Sequence, residues 1–236
     1  MTRKEPISVG ISNKRKHTVD TANITLKEIA VSKQAKTLTA IELRRVLDYV
    51  ATRKHAARNR ACLLLMYYAG LRVGEAASLR IADVVGHDGN VKKEIQLKPS
   101  QTKGGHARTV FVSERLQKEL EIYVCSLSHV KPNDKLIYSQ KITSDGFTAN
   151  TLTQHFHYLF KRAGIDGATS HSPRRTFITN LAAKGISVRV LMSLAGHRNI
   201  STTQSYIDVN DDMKRSAVEL ILEFLIVPKL ISFLNS

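Results

Sequence analysis

The chain has 236 residues, and its 36 Lys and Arg outnumber its 20 Asp and Glu, which gives a formal net charge of +16 at pH 7. A hydrophobic fraction of 42% suffices to fill a core, so the composition excludes a disordered basic tail. The charge favours a polyanionic partner, with nucleic acid first and an anionic membrane second.

Two observations bear on the cellular compartment. Cys62 and Cys125 stand far apart and outside any CxxC spacing, so neither a disulfide framework nor a structural zinc site is expected. Residues 1–20 contain no apolar stretch that would serve as a signal peptide. We therefore expect a cytoplasmic protein in a reducing environment.

The chain opens with a basic segment. Residues 1–36 hold eight Lys or Arg and three Asp or Glu, a net charge of 8 − 3 = +5, without a sustained apolar period. We predict a flexible basic arm here, and an ordinary frayed terminus is the alternative. Globular sequence is expected from Thr37 onward.

The pattern after the arm predicts a mainly helical α+β fold. Thr39 and Glu42 form a capping box in front of a helix over 40–52, and a second helix over 58–69 should stop at a left-handed turn on Gly70. Three short strands are then predicted to form a small antiparallel sheet, with Lys103 at a glycine-rich hairpin tip. The predicted strands cover 81–85, 94–98 and 108–112, and further helices cover 113–127, 151–163, 172–184, 188–194 and 213–225.

The apolar stretch near the end of the chain, residues 218–234, is broken by charged residues and by Pro228, well short of the roughly 20 residues that a membrane span needs. An amphipathic helix that docks on protein is the better interpretation. We expect that this chain's own core is one place where such a helix can pack.

The strongest chemical signal is the run from His171 to Arg174. Ser172 can cap a helix there, and Pro173 suits the first helical position. His171 and Arg174 would then stand at the positive end of the helix, which is a ready anion site. A histidine and an arginine at this spacing are common on helices, so a purely structural role is the more frequent explanation when they are taken alone.

Taken with other positions, this run resembles the tyrosine recombinase family, the phage integrases and Xer-type recombinases, in their catalytic domain over residues 37–212. The corresponding positions are Arg72 in Gly70-Leu71-Arg72, Glu75 as a supporting residue, Lys103 on the hairpin, His171 and Arg174 in the His-x-x-Arg box, His197 after Gly196, and Tyr206 as the nucleophile. Three positions depart from the residues that the family uses more often, namely Pro173, Arg175 and Ala195, and none of them removes a catalytic group.

The resemblance implies a site-specific recombinase that cuts and rejoins DNA through a 3′-phosphotyrosyl intermediate. Arg72 and Arg174 would offer planar forks of donors to the phosphate oxygens, and His171 and His197 would add donors. His171 would also accept the proton of Tyr206, and Lys103 would protonate the leaving 5′ oxygen. No metal or cofactor is expected, because the arginines take the metal's place.

The resemblance also implies double-stranded DNA as the partner, self-association from dimer to tetramer on DNA, and no membrane. Residues 37–236 would form the catalytic domain, with the tail from about 212 docking on a neighbouring protomer, and no full N-terminal clamp domain is expected. The outcome would be integration, excision, inversion or resolution. Three alternatives remain open: a non-catalytic or degenerate DNA-binding protein of the same fold, a type IB topoisomerase-like relaxation activity, and a peripheral membrane protein.

Overall fold

The computed structural model describes residues 35–140, 145–207, 214, 215, 218 and 219, and the fold within them is mainly helical. The helices are α1 Ala40–Ala51, α2 Ala56–Tyr68, α3 Val73–Ser78, α4 Ile81–Val84, α5 Glu114–Cys125, α6 Ala149–Arg162, α7 Ser172–Ala183, α8 Val188–Ala195 and α9 Ile200–Gln204. The strands are β1 Glu94–Leu97 and β2 Arg108–Phe111, and a 3₁₀ turn, Pro99–Gln101, lies between them. The predicted basic arm, up to residue 34, and nine of the thirteen residues of the predicted tail helix over 213–225 lie outside the described residues.

Helices α1 and α2 form as their local signals predict. The Thr39 hydroxyl accepts the N–H of Glu42 at 3.2 Å, and the Glu42 carboxylate accepts the N–H of Thr39 at 2.9 Å, which confirms the capping box. Helix α2 ends just before Gly70, whose φ of +63° is the predicted left-handed turn. The ring of Phe177 in α7 lies where a side chain at Gly70 would project, so α2 and α7 pack closely at this point.

The sheet has two antiparallel strands among the described residues, and the prediction of a third strand at 81–85 was wrong. That segment forms helix α4, whose start is capped because the Asp83 carboxylate accepts the N–H of Arg80 at 2.9 Å. The N–H of Ile81 bonds to the carbonyl of Asp134 and not to a strand. A run of five residues does not distinguish strand from helix by its apolar pattern, so contacts with this distant loop decide.

The region after the sheet holds one further correction and one addition. His171, not Ser172, occupies the N-cap position of α7, and the Ser172 hydroxyl instead accepts the N–H of Thr169 at 2.9 Å. Helix α9 was not predicted. It begins where the side chain of Asn199 accepts the N–H of Ser201 at 3.0 Å, and it follows the Gly196 turn directly.

The hydrophobic core is built around α2, which is buried on nearly all sides between α1, α5 and α7. Its carboxyl end leads straight into Arg72 and α3, so the first arginine of the predicted site is attached to the end of a helix that the core buries. No helix within the described ranges is both long and apolar enough to cross a membrane.

Candidate active site

Three arginine side chains converge on the carboxyl end of α8, where the chain turns through Gly196 at a φ of +61°. They donate to three successive backbone carbonyls: Arg108 to Leu194 at 2.9 Å, Arg174 to Ala195 at 2.5 Å and Arg72 to Gly196 at 2.9 Å. The last carbonyls of a helix have no partner within it and carry the negative end of its dipole. They therefore hold together three cations that would otherwise repel one another.

Glu75 supplies the acidic partner of this cluster. Its side chain is 1% exposed, and its carboxylate oxygens lie 2.7 Å from Nη1 of Arg72 and 2.6 Å from Nη2 of Arg108. Burial acts to raise the pKa of Glu75, but the hydrogen bond and charge of Arg108, followed by the backbone N–H and charge of Arg72, hold it below its usual value. Glu75 thus remains ionised and orients both guanidinium groups.

Arg174 stands in the first turn of α7 and is 6% exposed. Its Nη1 donates to the carbonyl of Gly70, so it joins the end of α2 to the end of α8. Burial first, and then the positive charge of Arg72, lower the pKa of Arg174 to about 9. The group still keeps its charge at neutral pH, as an anion-binding role requires.

His197 lies between Arg174 and helix α9. Its Nε2 is 3.1 Å from Nη2 of Arg174, and its Nδ1 is 3.0 Å from Oγ1 of Thr203. Burial first, and then the charges of Arg174, Arg72 and Arg108, lower the pKa of His197 to about 4, so the ring is neutral at physiological pH. Since a guanidinium only donates, Nε2 accepts in this contact with Arg174. The donor role of His197 toward a phosphate stays a prediction.

Tyr206 follows α9 and is half-buried against the same cluster. Its ring lies nearly parallel to that of His197, with centroids 5.8 Å apart and 22° between the ring planes. The guanidinium carbon of Arg175 is 5.4 Å from the centroid of the tyrosine ring. The backbone N–H of Tyr206 donates to the carbonyl of Thr203 at 3.0 Å, which ends the short helix at the edge of the site.

Lys103 and His171 stand at the exposed rim of the site. Lys103 lines an open cleft of about 430 Å³ together with Arg72, Arg108 and His197. Arg198 borders the same cleft and donates to the carbonyl of Gly104 at 2.5 Å, which ties the lysine-bearing loop to the segment after His197. Partial enclosure of the ring, and then the charges of Arg174, Lys103 and Arg72, lower the pKa of His171.

All seven predicted site residues therefore lie in one region. Arg72 pairs with Glu75, and Arg174 contacts His197, which stacks on Tyr206. The adjacent carbonyls of Ala195 and Gly196, which accept from Arg174 and Arg72, link the two groups. The sequence reasoning missed Arg108 and Thr203. Arg108 carried a signal, because it shares a strand face with buried Val110, and a cation on a buried face requires an anionic partner. Thr203 gave no signal in the sequence beyond its position one helical turn before Tyr206.

No group of three or more His, Cys, Asp or Glu side chains that could hold a metal ion occurs in the described part of the chain.

Two kinds of comparison, by sequence and by structure, relate the chain to known proteins. Residues 36–213 match the phage integrase family. The chain is 31% identical over 186 residues to "Tyrosine recombinase XerA" of Pyrococcus horikoshii, an alignment that covers 78% of this chain and 60% of the relative.

Solved structures agree with the match. The crystal structure of XerA recombinase superposes with a TM-score of 0.62 at 28% identity and covers 80% of this chain and 64% of that one. The structure of the Tn1549 transposon integrase in complex with circular intermediate DNA gives a TM-score of 0.61 at 20% identity, over 81% of this chain and 68% of that one, which speaks for the fold alone. The chain spans about three fifths of the length of the curated relatives that it matches.

Proposed function

Since this chain belongs to the phage integrase family, we propose that it is a site-specific recombinase that cuts and rejoins double-stranded DNA through a covalent 3′-phosphotyrosyl intermediate. One observation carries the proposal. Two arginines and a histidine from three separate segments come together: Arg72 and His197 line one open cleft, and Arg174 contacts His197. The ring of Tyr206 lies against that of His197.

The arginines suit the main difficulty of the reaction. A phosphodiester resists attack because its oxygens are anionic, and the pentavalent transition state places still more charge on them. Arg72 and Arg174 are already oriented by Glu75 and by backbone carbonyls, so little reorganisation is needed when a phosphate replaces part of those contacts. Each guanidinium can then present two parallel donors to the nonbridging oxygens.

The nucleophile is Tyr206, whose hydroxyl must lose a proton during attack because a phenol has a pKa near 10. His171 is the proposed acceptor of this proton. Its pKa lies below the ordinary value for histidine, so the imidazole is neutral at physiological pH and has a lone pair available. Attack joins the tyrosine oxygen to phosphorus and breaks the bond from phosphorus to the 5′ oxygen of the next nucleotide.

The departing 5′ oxygen requires a proton, and Lys103 is the proposed general acid. Its exposed position on the loop between β1 and β2 lets it face the same cleft as Arg72 and His197. Rejoining runs in reverse, because a free 5′ hydroxyl attacks the phosphotyrosine and Tyr206 leaves. The energy of the phosphodiester is conserved in the tyrosine linkage, so no nucleotide hydrolysis is required.

The proposal extends to partners and location. Double-stranded DNA is the substrate, in keeping with the net charge of +16 and with the DNA complex of the structurally similar Tn1549 integrase. We further propose residues 37–236 as the catalytic domain, assembly from dimer to tetramer on DNA, and action in the cytoplasm, to integrate, excise, invert or resolve DNA.

The test is to trap the covalent intermediate. The full chain is incubated with a pool of DNA duplexes that carry a randomised core and a nick just downstream of it, so that cleavage releases a short fragment and prevents rejoining. We expect protein-linked DNA on a denaturing gel with the wild type and with Tyr158→Phe, a matched exposed tyrosine on α6, and none with Tyr206→Phe. An adduct formed by Tyr206→Phe contradicts the assignment. Relaxation of supercoiled plasmid without paired sites would instead indicate a topoisomerase.

A second arm of the same experiment addresses Lys103. Sequencing the trapped DNA defines the preferred site, which is then prepared with sulphur in place of the leaving 5′ oxygen. A thiolate leaves without protonation, so Lys103→Ala should be about a hundredfold slower than the wild type on ordinary DNA and near wild type on the sulphur substrate. Equal defects on the two substrates would exclude the general-acid role.

A further inference from the structure

Arg198 crosses the open cleft of the candidate active site, and the proposed chemistry gives it no role. It directly follows His197, and its Nη2 donates to the carbonyl of Gly104 on the lysine-bearing loop at 2.5 Å. A β-carbon at Gly104 would lie 3.4 Å from Nε and 3.7 Å from Cζ of Arg198. The guanidinium therefore lies alongside the glycine and does not touch the loop through one atom alone.

The backbone that carries Arg198 is held on both sides. The N–H of His197 donates to the carbonyl of Met192 at 3.0 Å, within the turn that ends α8. The side chain of Asn199 accepts the N–H of Ser201 at 3.0 Å, which starts the next helix. The donor thus projects from an ordered segment, whereas its acceptor lies on a loop.

The lysine-bearing loop is closed on itself at its neck. The hydroxyl of Thr102 accepts the N–H of His106 at 3.1 Å, and the N–H of Gly105 donates to the carbonyl of Thr102 at 3.2 Å. Residues 103–107 are exposed, so burial does not fix their place relative to the cleft. Within the described ranges, the hydrogen bond from Arg198 is the one that joins residues 103–107 to a distant part of the chain.

Charge acts against this arrangement. The cleft is lined by four cationic side chains, those of Arg72, Lys103, Arg108 and Arg198, and like charges around one opening repel. The exposed loop is the part that can yield, by turning Lys103 outward into solvent. A carbonyl forms a stronger hydrogen bond with a charged donor than with a neutral one, so the contact at Gly104 opposes this movement.

We propose that Arg198 is a positioning residue that holds the loop of Lys103 at the cleft, and so keeps the proposed general acid near the departing 5′ oxygen. The role rests on the proposed function, because it assigns a partner to Lys103 within the same site. Arg198 transfers no proton and acts on the loop, not on the DNA. Its removal should therefore slow the step that needs Lys103 and leave DNA binding in place.

The first measurement compares the two leaving groups. On ordinary DNA, Arg198→Ala should form the covalent adduct about tenfold more slowly than the wild type, a smaller loss than for Lys103→Ala because the lysine is still present. On the sulphur substrate, whose thiolate departs without protonation, the variant should lie within about twofold of the wild type. Arg198→Lys keeps a cationic donor and should recover part of the rate. Arg189→Ala removes an exposed arginine of α8 that does not line the cleft, and should match the wild type on both substrates.

The second measurement separates positioning from a contact with the DNA backbone. The affinity of Arg198→Ala for the same duplex should fall with salt concentration as steeply as that of the wild type. Loss of a phosphate contact would instead reduce the slope of log affinity against log salt by about one. A slope reduced by that amount, or equal defects on the two substrates, overturns the proposal in favour of a direct contact with DNA.

The third measurement reads the loop itself and needs no activity. A lysine-specific protease cuts after Lys103 only when the loop can leave the cleft, and cleavage after Lys54, which is exposed between α1 and α2, serves as the internal reference. Relative to that reference, cleavage after Lys103 should be at least about threefold faster in Arg198→Ala than in the wild type. Arg189→Ala should keep the wild-type ratio. A general loss of stability would raise both cleavages together, so the ratio isolates the loop.

The outcomes are distinguishable. An unchanged cleavage ratio in Arg198→Ala overturns the proposal whatever the activity. A variant that the sulphur substrate does not rescue overturns it while leaving the recombinase function intact. If the ratio rises as expected but the wild type forms no adduct, the hold of Arg198 on the loop is supported and the proposed function fails.

Discussion

At the scale of single residues, the site depends on one buried carboxylate among three guanidinium groups. Glu75 bonds two of them directly, and Arg108, 10% exposed, has no role of its own in the proposed chemistry. We interpret Arg108 as the second counter-charge of Glu75. With Arg108 present, Glu75 orients Arg72 without cancelling its charge, so Arg72 and Arg174 still present a net positive field to a phosphate.

This interpretation predicts the effect of neutralising Glu75. Glu75→Gln leaves Arg108 buried without a charged partner, so the free energy of unfolding should fall by about 3 kcal/mol. Urea denaturation measures the change, and Glu94→Gln, an exposed position on β1, should stay within about 0.5 kcal/mol of the wild type. A loss of less than about 1 kcal/mol for Glu75→Gln would show that the buried pair does not contribute as described.

At the scale of secondary-structure elements, the end of α8 is the feature on which the site is assembled. Gly196 allows the chain to turn with a positive φ, and it also lets Arg108 and Arg72 approach the backbone closely. A β-carbon at Gly196 would lie 2.6 Å from Cδ of Arg108. The turn therefore has two separate reasons to exclude a side chain, one conformational and one steric.

The chain offers a matched pair that separates these reasons. Gly185, after α7, has a φ of +75°, and nothing lies within 4 Å of the position that a β-carbon would occupy, so Gly185→Ala should cost only the left-handed conformation, about 1 kcal/mol. Gly196→Ala should cost about 3 kcal/mol, because Arg108 must also move. Urea denaturation of the two variants provides the comparison. Equal losses would mean that Arg108 adjusts freely and that close packing at Gly196 is unimportant.

At the scale of the whole molecule, a partly buried histidine links stability to pH. His155 on α6 lies beside buried Arg58, and its Nε2 is 3.1 Å from Oδ1 of Asn59. Burial first, and then the charges of Arg58 and His55, lower the pKa of His155 to about 4. The unfolded chain takes up a proton near pH 6.5 while the folded chain does not, so folding is destabilised as the pH falls from about 6.5 toward 4.

This linkage gives a measurable slope. Between pH 7 and pH 5, His155 should remove about 1 kcal/mol from the free energy of unfolding, after allowance for solvent screening. His155→Gln keeps a donor for Asn59 but does not titrate, so its stability should depend less on pH by about that amount. His87→Gln, at a position outside the core, should keep the wild-type slope. Parallel curves for the wild type and His155→Gln would refute the linkage.

The sequence by itself determined the features that depend on neighbouring residues. The capping box of Thr39 and Glu42 and the left-handed turn at Gly70 are contacts or conformations within a few residues, so their signals are complete in the local sequence. The order and spacing of the Arg, Lys, His and Tyr motifs likewise identified the family, because those residue types are required by the chemistry.

Only the tertiary structure decided which partners the side chains have. The segment 81–85 became a helix through bonds to a distant loop, and Arg72 meets the carbonyl of Gly196, 124 residues further along the chain. The acidic partner of Arg108 and the contact of His197 with Thr203 could not be predicted from the sequence either. A pattern of residues records the local conformation that each segment prefers, whereas hydrogen-bond partners depend on which segments the packing of the core brings together.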